Sequence, residues 1–212
     1  IDDCIIHAAT QSCEIGNANL KEESSNNIDL SLHWHYPSVE GFITLYYNDF
    51  QDFIYLQNTG EEIDEQAVML YDQIDAQFVG IEAEVNWILL ESSSGNVSLS
   101  LFGDWIEGEL QSNEDVPRLP PMRFGGTLDY ARGPFGAYVR GVTAAEQDKP
   151  GVNETETDGY TRWDAGVDYH FELSGDRELS VFLKGVNLSD EEIRLSTSFL
   201  RNIAPEAGRS VE

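Results

Sequence analysis

The chain has 212 residues, which is enough for one large β domain, and its 39 acidic and 12 basic residues give a formal net charge of -27. This excess of carboxylates argues against nucleic acid as a partner, because phosphates are bound by Lys and Arg, and it fits a cation-attracting or strongly hydrated surface. The mean hydropathy is -0.35, and no apolar run of about 18 residues is present, which excludes a membrane-spanning helix but not membrane-spanning strands.

Both cysteines, Cys4 and Cys13, lie near the start of the chain. Their spacing in an acidic segment favours a disulfide, with two free buried thiols as the alternative, and it is not a spacing typical of metal sites. The opening residues carry neither the basic region nor the apolar run of a signal peptide. We therefore expect an internal or C-terminal piece of a longer protein.

His7 lies inside the loop that this disulfide would close, and Asp2, Asp3 and Glu14 are close to it in the sequence. Imidazole and carboxylate ligands together suit Zn²⁺ or a similar divalent ion. His7 is therefore the candidate metal ligand of the chain. An ordinary surface histidine in a stapled loop is the alternative.

The run from 27 to 36 alternates between two kinds of side chain. Successive side chains of a strand point to opposite faces, so one face is polar and the other carries Ile28, Leu30, Leu32, Trp34 and Tyr36. The pattern recurs at 79–89 and 163–171. Strands with one apolar side, one strongly polar side and aromatic residues near their ends predict a transmembrane β-barrel, with lipid outside and a wet lumen inside.

We predict eight complete antiparallel strands, the start of a ninth and no convincing helix. The approximate bounds are 27–36, 39–57, 71–90, 96–110, 121–131, 135–146, 159–172, 178–187 and 208–212. Short connections alternate with long ones, and the long ones span about 58–70, 111–120, 147–158 and 188–207. In bacterial barrels the short turns are periplasmic and the long loops are extracellular, which assigns the two rims.

The first hairpin predicts its own register around Pro37 and Ser38. If Tyr36 pairs with Val39, the pairs that follow are His35–Glu40, Trp34–Gly41, His33–Phe42 and Leu32–Ile43. A slip of one residue would mix the apolar and polar faces, so this register is favoured.

Face and height along the strands predict two further groups of residues. An aromatic girdle at the lipid interface, near the short-turn rim, would consist of Trp34, Tyr36, Trp87, Tyr130, Phe135, Tyr169 and Phe171. The lumen wall would include His33, His35, Glu40, Glu82, Glu84, Arg162 and Asp164. His33 and His35 have a spacing that could chelate a metal, but their height near the short-turn rim favours an ordinary wall contact.

The long connections are rich in acidic residues and share one rim, so we expect a strong negative potential there. Candidate ligand-binding residues at this rim are His7, Glu14, Glu61, Asp64, Glu114 and Asp115. A solvated loop surface without a ligand is the alternative for any single carboxylate.

No enzyme motif is found in the sequence: there is no nucleophile elbow, no Gly-rich phosphate loop and no H-E-x-x-H. Glu82 and Glu84 share a strand face, where lumen wall is favoured over a glycosidase pair. We therefore expect a protein that is not an enzyme and has no cofactor of its own, so that any metal or metal chelate would be its cargo.

Three stretches, in this order, resemble TonB-dependent outer-membrane receptors. The first is H-A-A-T at 7–10 with the residues at 13–24 and 27–30. The second is Y-Y-N-D-F-Q-D-F-I at 46–54, continued by V-G-I-E at 79–82. The third is G-V-N-L-S-D-E-E-I-R at 185–194 with matching residues up to Arg209. The ordered set covers most of the chain, and the wording of the first stretch is most similar to receptors of the zinc-uptake type.

This resemblance implies a plugged barrel of about 22 strands, of which residues 1–212 would form the C-terminal portion, about the last third. The chain departs from the family pattern because it has neither the plug domain nor the TonB-contacting box, and because it stops at Glu212, before the family's terminal aromatic residue. The resemblance also implies the outer membrane of a Gram-negative bacterium. The implied partners are outer-membrane lipid, TonB with its inner-membrane energising complex, and a small-molecule or metal ligand.

The implied function is TonB-energised uptake of a scarce nutrient. The acidic rim and His7 favour a metal cation such as zinc, and a receptor for a ferric siderophore or haem is the next alternative. Two alternatives from other classes are a passive porin-like channel or adhesin, and a soluble halophilic all-β binding module. The apolar strand faces argue against the soluble module.

Overall fold

The computed structural model describes residues 4–8, 10, 12–151, 154–175 and 177–212, and these residues form eleven β-strands in one sheet. No helix in this part of the chain is long and apolar enough to cross a membrane. The strands are β1 Cys4–His7, β2 Ser12–Ile15, β3 Ser24–His35, β4 Val39–Ile63, β5 Gln66–Ser92, β6 Gly95–Leu110, β7 Arg123–Arg132, β8 Phe135–Ala144, β9 Tyr160–Leu173, β10 Arg177–Val186 and β11 Ser210–Val211.

Strands β3 to β11 follow one another across the sheet, and each is antiparallel to the next. This up-and-down wall confirms the predicted fold class. The eight predicted complete strands correspond to β3 to β10, and the predicted start of a ninth corresponds to β11. The wall ends at β3 on one side and at β11 on the other, so the described sheet is an open part of a barrel.

The connections between wall strands differ at the two rims. Tight turns join β3 to β4, β5 to β6, β7 to β8 and β9 to β10 at one rim. Gly133 and Gly175 have φ of 55° and 77° in these turns, a conformation that glycine adopts without steric cost. The opposite rim carries loops at 111–122, 145–159 and 187–209.

The prediction of a long loop at 58–70 is wrong. β4 continues to Ile63 and β5 begins at Gln66, and the two strands form a hairpin that turns at Asp64 and Glu65. Gly60 and the acidic residues that follow it are typical of a loop. Pairing between β4 and β5 on either side keeps this stretch within the strand, with a register shift between Asn58 and Glu62. Residues 52–75, called the arm below, extend beyond the last pairs with β3 and β6.

Two strands that the sequence analysis did not predict precede the wall. β1 and β2 form a hairpin, and the predicted disulfide between Cys4 and Cys13 closes it, with Cα atoms 5.5 Å apart. β2 also pairs in parallel with β5, at Ala67 to Leu70 of the arm. β6 pairs with β5 only from Ala76 onward, and the hairpin thereby covers part of the β5 edge that precedes Ala76.

The predicted register of the first hairpin is confirmed. Tyr36 and Val39 exchange backbone hydrogen bonds of 2.9 and 3.3 Å around the turn. The pairs below the turn are His35–Glu40, Trp34–Gly41, His33–Phe42 and Leu32–Ile43. The hydrophobic alternation of both strands therefore selects one register, as expected when one face must stay apolar.

The apolar face of the wall is exposed. Ile28, Leu30 and Leu32 are 70%, 69% and 64% exposed, and the same face carries further exposed side chains at Trp87, Trp163, Val167, Tyr169 and Phe171. A continuous apolar surface of this kind is unfavourable in water. On an outer-membrane barrel it is the surface that contacts lipid.

A small core forms on the opposite face, where the 111–122 loop folds back onto the sheet. Its buried residues are Tyr55, Ala76, Phe78, Leu110 and Val116, and the backbone N–H of Val116 donates to the carbonyl of Gly108 at 2.9 Å. Phe50, Phe53 and Phe78 meet edge to face, with ring centroids 5.3 to 5.6 Å apart. This core supports the base of the arm.

Candidate functional site

Four segments beyond the wall enclose a cavity of about 330 Å³, which is large enough for a small organic group. They are Thr10 with Ser12 at the start of β2, the arm, the 111–122 loop and the 187–209 loop, and Glu154 of the 145–159 loop reaches the cavity as well. Its apolar lining comes mainly from Leu56, Met69, Pro117, Phe199 and Ile203, and its basic lining from Arg118 and Arg201.

Glu154 ties three loops together. Its Oε1 accepts a hydrogen bond of 2.8 Å from Nη1 of Arg201, and its Oε2 accepts from the backbone N–H of Arg118 at 2.7 Å and of Gly151 at 3.3 Å. The side chains of Glu154 and Arg201 are 11% and 10% exposed. A buried ion pair with additional backbone donors is an arrangement in which the loss of one partner is costly.

Further hydrogen bonds connect the same three loops. The carbonyl of Leu119 accepts from Nε2 of Gln147 at 2.8 Å and from Oγ of Ser196 at 2.9 Å. Oγ1 of Thr155 donates to Oδ1 of Asn202 at 3.1 Å. Together with the Glu154–Arg201 pair, these bonds make the three loops one body, called the loop body below.

Phe199 of the loop body faces the stapled hairpin. Its ring centroid lies 5.2 Å from that of His7, with the rings tilted by 49°. The guanidinium carbon of Arg118 lies 4.1 Å from the centroid of the same ring, which is the distance of a cation–π contact. Arg118 has a φ of 59°, a backbone conformation unusual for a non-glycine residue, and the carboxylate of Glu154 holds its N–H.

The structure places His7 at the edge of this site. Nδ1 of His7 lies 2.9 Å from Oγ1 of Thr10, which leaves Nε2 outside that contact. Glu14 accepts a hydrogen bond of 3.2 Å from the hydroxyl of Tyr71 in the arm. Burial and the nearby Glu14 carboxylate raise the pKa of Tyr71, and the Arg118 guanidinium partly opposes this effect.

The other predicted ligand carboxylates are dispersed. Glu61 and Asp64 lie at the exposed tip of the arm, whereas Glu114 and Asp115 lie in the 111–122 loop, where Oγ of Ser112 donates to Glu114 at 2.8 Å. No three His, Cys, Asp or Glu side chains are arranged to hold a metal ion within the described residues. Asp2 and Asp3, the predicted neighbours of His7, lie outside the described residues.

The predicted lumen-wall residues lie on the polar face of the sheet, in the register given above. Nδ1 of His35 and Oε2 of Glu40 are 2.9 Å apart, and Nδ2 of Asn86 donates to Glu84 at 2.9 Å. The Nη2 of Arg162 lies 2.9 Å from Oδ2 of Asp164. Glu82 pairs with Thr44, and His33 packs near Phe42 with ring centroids 5.7 Å apart.

Asp164 has a structural contact that the sequence analysis missed. It is 6% exposed, and its Oδ1 accepts from the backbone N–H of Asn187 at 2.9 Å. The side chain of Asn187 in turn bonds both to the N–H and to the carbonyl of Glu191. These bonds fix the start of the 187–209 loop on the wall.

The predicted girdle residues lie on the apolar face near the tight turns. Tyr36, Trp87, Tyr169 and Phe171 are exposed, and Trp34 and Tyr130 are half-buried. The Tyr130 hydroxyl donates to the carbonyl of Ser94 in a tight turn at 2.9 Å. Their role at a lipid interface stays a prediction.

Arg118, Phe199 and Arg201 are the site residues that sequence reasoning missed. They come from two loops far apart in the chain, and no spacing links them. The one available signal was the presence of arginine in the long loops of a strongly acidic chain.

Comparison with known proteins supports the architecture. The family described as "TonB dependent receptor-like, beta-barrel" matches residues 7–188. The solved structures that share the fold include two transporters and one receptor. The copper transporter OprC is 17% identical over 92% of this chain, with a TM-score of 0.76. The siderophore receptor PirA from Acinetobacter baumannii is 16% identical over 94%, with a TM-score of 0.70. The FrpB iron transporter from Neisseria meningitidis is 13% identical over 96%, with a TM-score of 0.66.

The chain covers 32% of each of these three structures, so it spans about a third of their length. The family match extends over most of the chain and agrees with the exposed apolar face of the wall. It excludes the soluble binding module considered above, and it agrees with a transporter rather than an enzyme. The chain belongs to the family of TonB-dependent receptors, as part of their β-barrel in the Gram-negative outer membrane.

Proposed function

We propose that the protein takes up a scarce metal cation across the outer membrane, with zinc as the first candidate. The observation that carries this proposal is the charge of the long-loop rim. The arm contains no Lys or Arg, and its seven acidic residues are Asp52, Glu61, Glu62, Asp64, Glu65, Asp72 and Asp75. The 145–159 loop has one basic residue, Lys149, and five acidic ones, Glu146, Asp148, Glu154, Glu156 and Asp158.

A rim of this charge raises the local concentration of cations and repels anions. His7 offers one ligand of the type that zinc prefers, and the contact between its Nδ1 and Thr10 fixes the ring with Nε2 available. Because the described residues do not complete a metal site, the proposal takes the remaining ligands from other parts of the protein.

We propose further that residues 1–212 form the C-terminal portion of the barrel and that a plug elsewhere in the protein closes its lumen. Capture at the long-loop rim would then be followed by release through the barrel, driven by TonB and its inner-membrane energising complex. The length of the related structures supports this division, because this chain spans about a third of them.

A ferric siderophore or haem is the second candidate cargo. The observation in its favour is that several structures with this fold are described as siderophore receptors or iron transporters, including PirA and FrpB. The negative rim is less suitable for an anionic siderophore than for a metal cation.

Calorimetry of the full-length receptor in detergent tests the first candidate. Titration with Zn²⁺ should give a saturable signal, and His7→Ala should weaken the affinity by about tenfold or more, because a directly bound imidazole is lost. The control His170→Ala, near the tight-turn rim, should bind as the unchanged protein does. No zinc signal in the unchanged receptor would favour the siderophore candidate.

A further inference from the structure

The cavity between the stapled hairpin and the loop body has no assigned ligand. We propose that it is a binding site for an organic carboxylate with an apolar body, and that Arg118 binds the carboxylate. This inference adds a ligand class to the proposed receptor and concerns residues other than His7. It rests on the chemistry of the cavity and not on the identity of the transported metal.

Arg118 presents its guanidinium group to the face of the Phe199 ring, in an acidic region. Among the described residues, no ion pair or side-chain hydrogen bond involves its guanidinium group, which contacts the face of Phe199 at 4.1 Å. Stacking on a ring orients a guanidinium group without using its N–H donors. The planar fork of Arg118 is therefore available for two parallel hydrogen bonds to a carboxylate.

Two carboxylates near the cavity, those of Glu154 and Glu14, are already engaged. Glu154 accepts from Arg201 and from two backbone N–H groups, and Glu14 accepts from the hydroxyl of Tyr71. Glu154 also accepts a hydrogen bond from the backbone N–H of Arg118, so the arginine is held in place before a ligand arrives. A preordered binding group loses less conformational entropy when it binds.

The remaining walls define the body of the ligand. Leu56, Met69, Pro117, Phe199 and Ile203 form the apolar part of the cavity lining, and hydroxyl and amide side chains form most of the rest. The volume of about 330 Å³ suits a single ring or a short alkyl chain. A singly charged carboxylate also meets less repulsion from the acidic rim than a doubly charged phosphate does.

Ligand-observed NMR on the full-length receptor in detergent tests this site, with benzoate as the probe. Benzamide has nearly the same shape without the charge, and inorganic phosphate has charge without an apolar body. Benzoate should show saturation transfer and benzamide should show little. Inorganic phosphate, which has no carbon-bound protons to observe, is added as a competitor and should not displace benzoate. Arg118→Gln should weaken benzoate binding by about tenfold, since a charge-assisted bidentate contact is lost.

The controls separate this site from general charge effects and from the proposed metal uptake. Arg209→Gln removes a guanidinium group that lies 3.5 Å from Asp190 in the same loop body, and it should leave benzoate binding unchanged. Glu154→Gln should also weaken benzoate binding, because the Arg118 backbone loses its charged acceptor. Heat-modifiable migration on electrophoresis shows whether Arg118→Gln is folded, and zinc calorimetry on the same variant reports on metal binding separately.

Equal benzoate binding by Arg118→Gln and the unchanged receptor would overturn the assignment. Benzamide binding as strong as benzoate binding would also contradict it, because the site would then recognise only the apolar body. Neither result would affect the proposed metal uptake, whose binding step zinc calorimetry tests separately.

Discussion

Gly80 of β5 lies beneath the ring of Tyr46 on the neighbouring strand. A Cβ added at this position would overlap that ring and would approach the carbonyl oxygen of Trp105 to 2.8 Å. Gly103, on β6, has no atom nearer than 3.6 Å to such a Cβ. Glycine is therefore required at position 80 for steric reasons, whereas position 103 has room for a side chain, and the two positions can be compared directly.

We expect Gly80→Ala to destabilise the folded receptor by about 1–3 kcal/mol, the range for overpacking at a tight contact. Urea unfolding in liposomes, followed by tryptophan fluorescence, measures this change. Gly103→Ala should be close to neutral. Adding Tyr46→Ala to Gly80→Ala should recover part of the loss, and a double-mutant cycle without coupling would show that the ring contact is not the cause.

Single residues of the candidate site were predictable only where a local pattern carried the information. The disulfide between Cys4 and Cys13 follows from two cysteines close in sequence, and the structure contains it. The Arg118–Phe199 contact joins positions 81 residues apart in the chain (199 − 118), through loops whose course depends on Glu154. No periodicity in the sequence encodes such a contact.

Substitutions on β3 and β5 can test which face of the wall contacts lipid. Leu32 and Val85 lie on the apolar face, on the two strands that flank β4. Leu32 pairs with Ile43 of β4 and Val85 pairs with Gly41, two positions away. The double change Leu32→Asp with Val85→Asp should prevent assembly into liposomes, because carboxylates facing hydrocarbon cost about 1–2 kcal/mol each and remove the apolar face that drives insertion.

The matched control for that variant changes the polar face of the same two strands. His33→Asp with Glu84→Asp should assemble as the unchanged receptor does, as judged by heat-modifiable migration on electrophoresis. Normal assembly of the Leu32 and Val85 variant would show that this face does not contact lipid.

Elements were predictable to the extent that alternation of side chains defined them. The first hairpin has one register that keeps both faces uniform, and the structure adopts it. The outer parts of β4 and β5 were missed because Gly60 and acidic residues weaken the strand pattern, while pairing across the hairpin stabilises it. The parallel pairing of β2 with β5 joins segments 55 positions apart (67 − 12), which local sequence does not specify.

At the scale of the whole molecule, the net charge of -27 is the property with the longest range. Charges separated by more than a Debye length are screened, and this length falls from about 30 Å at 0.01 M salt to about 8 Å at 0.15 M. The acidic arm and loops therefore act on an approaching ion most strongly at low ionic strength. The sign of the effect depends on the charge of the cargo.

For a cation such as Zn²⁺, the association rate with the full-length receptor should fall by about tenfold or more as salt rises over this range, because attraction by the rim is screened. Stopped-flow measurement in sodium perchlorate avoids the binding of zinc by chloride. The variant Glu61→Gln, Glu62→Gln, Asp64→Asn and Glu65→Gln removes four charges at the exposed end of the arm and should flatten this dependence. For an anionic siderophore the same field is repulsive, so its association rate should rise with salt. A zinc association rate independent of salt would show that the rim charge does not guide capture, and the main support for cation uptake would be lost.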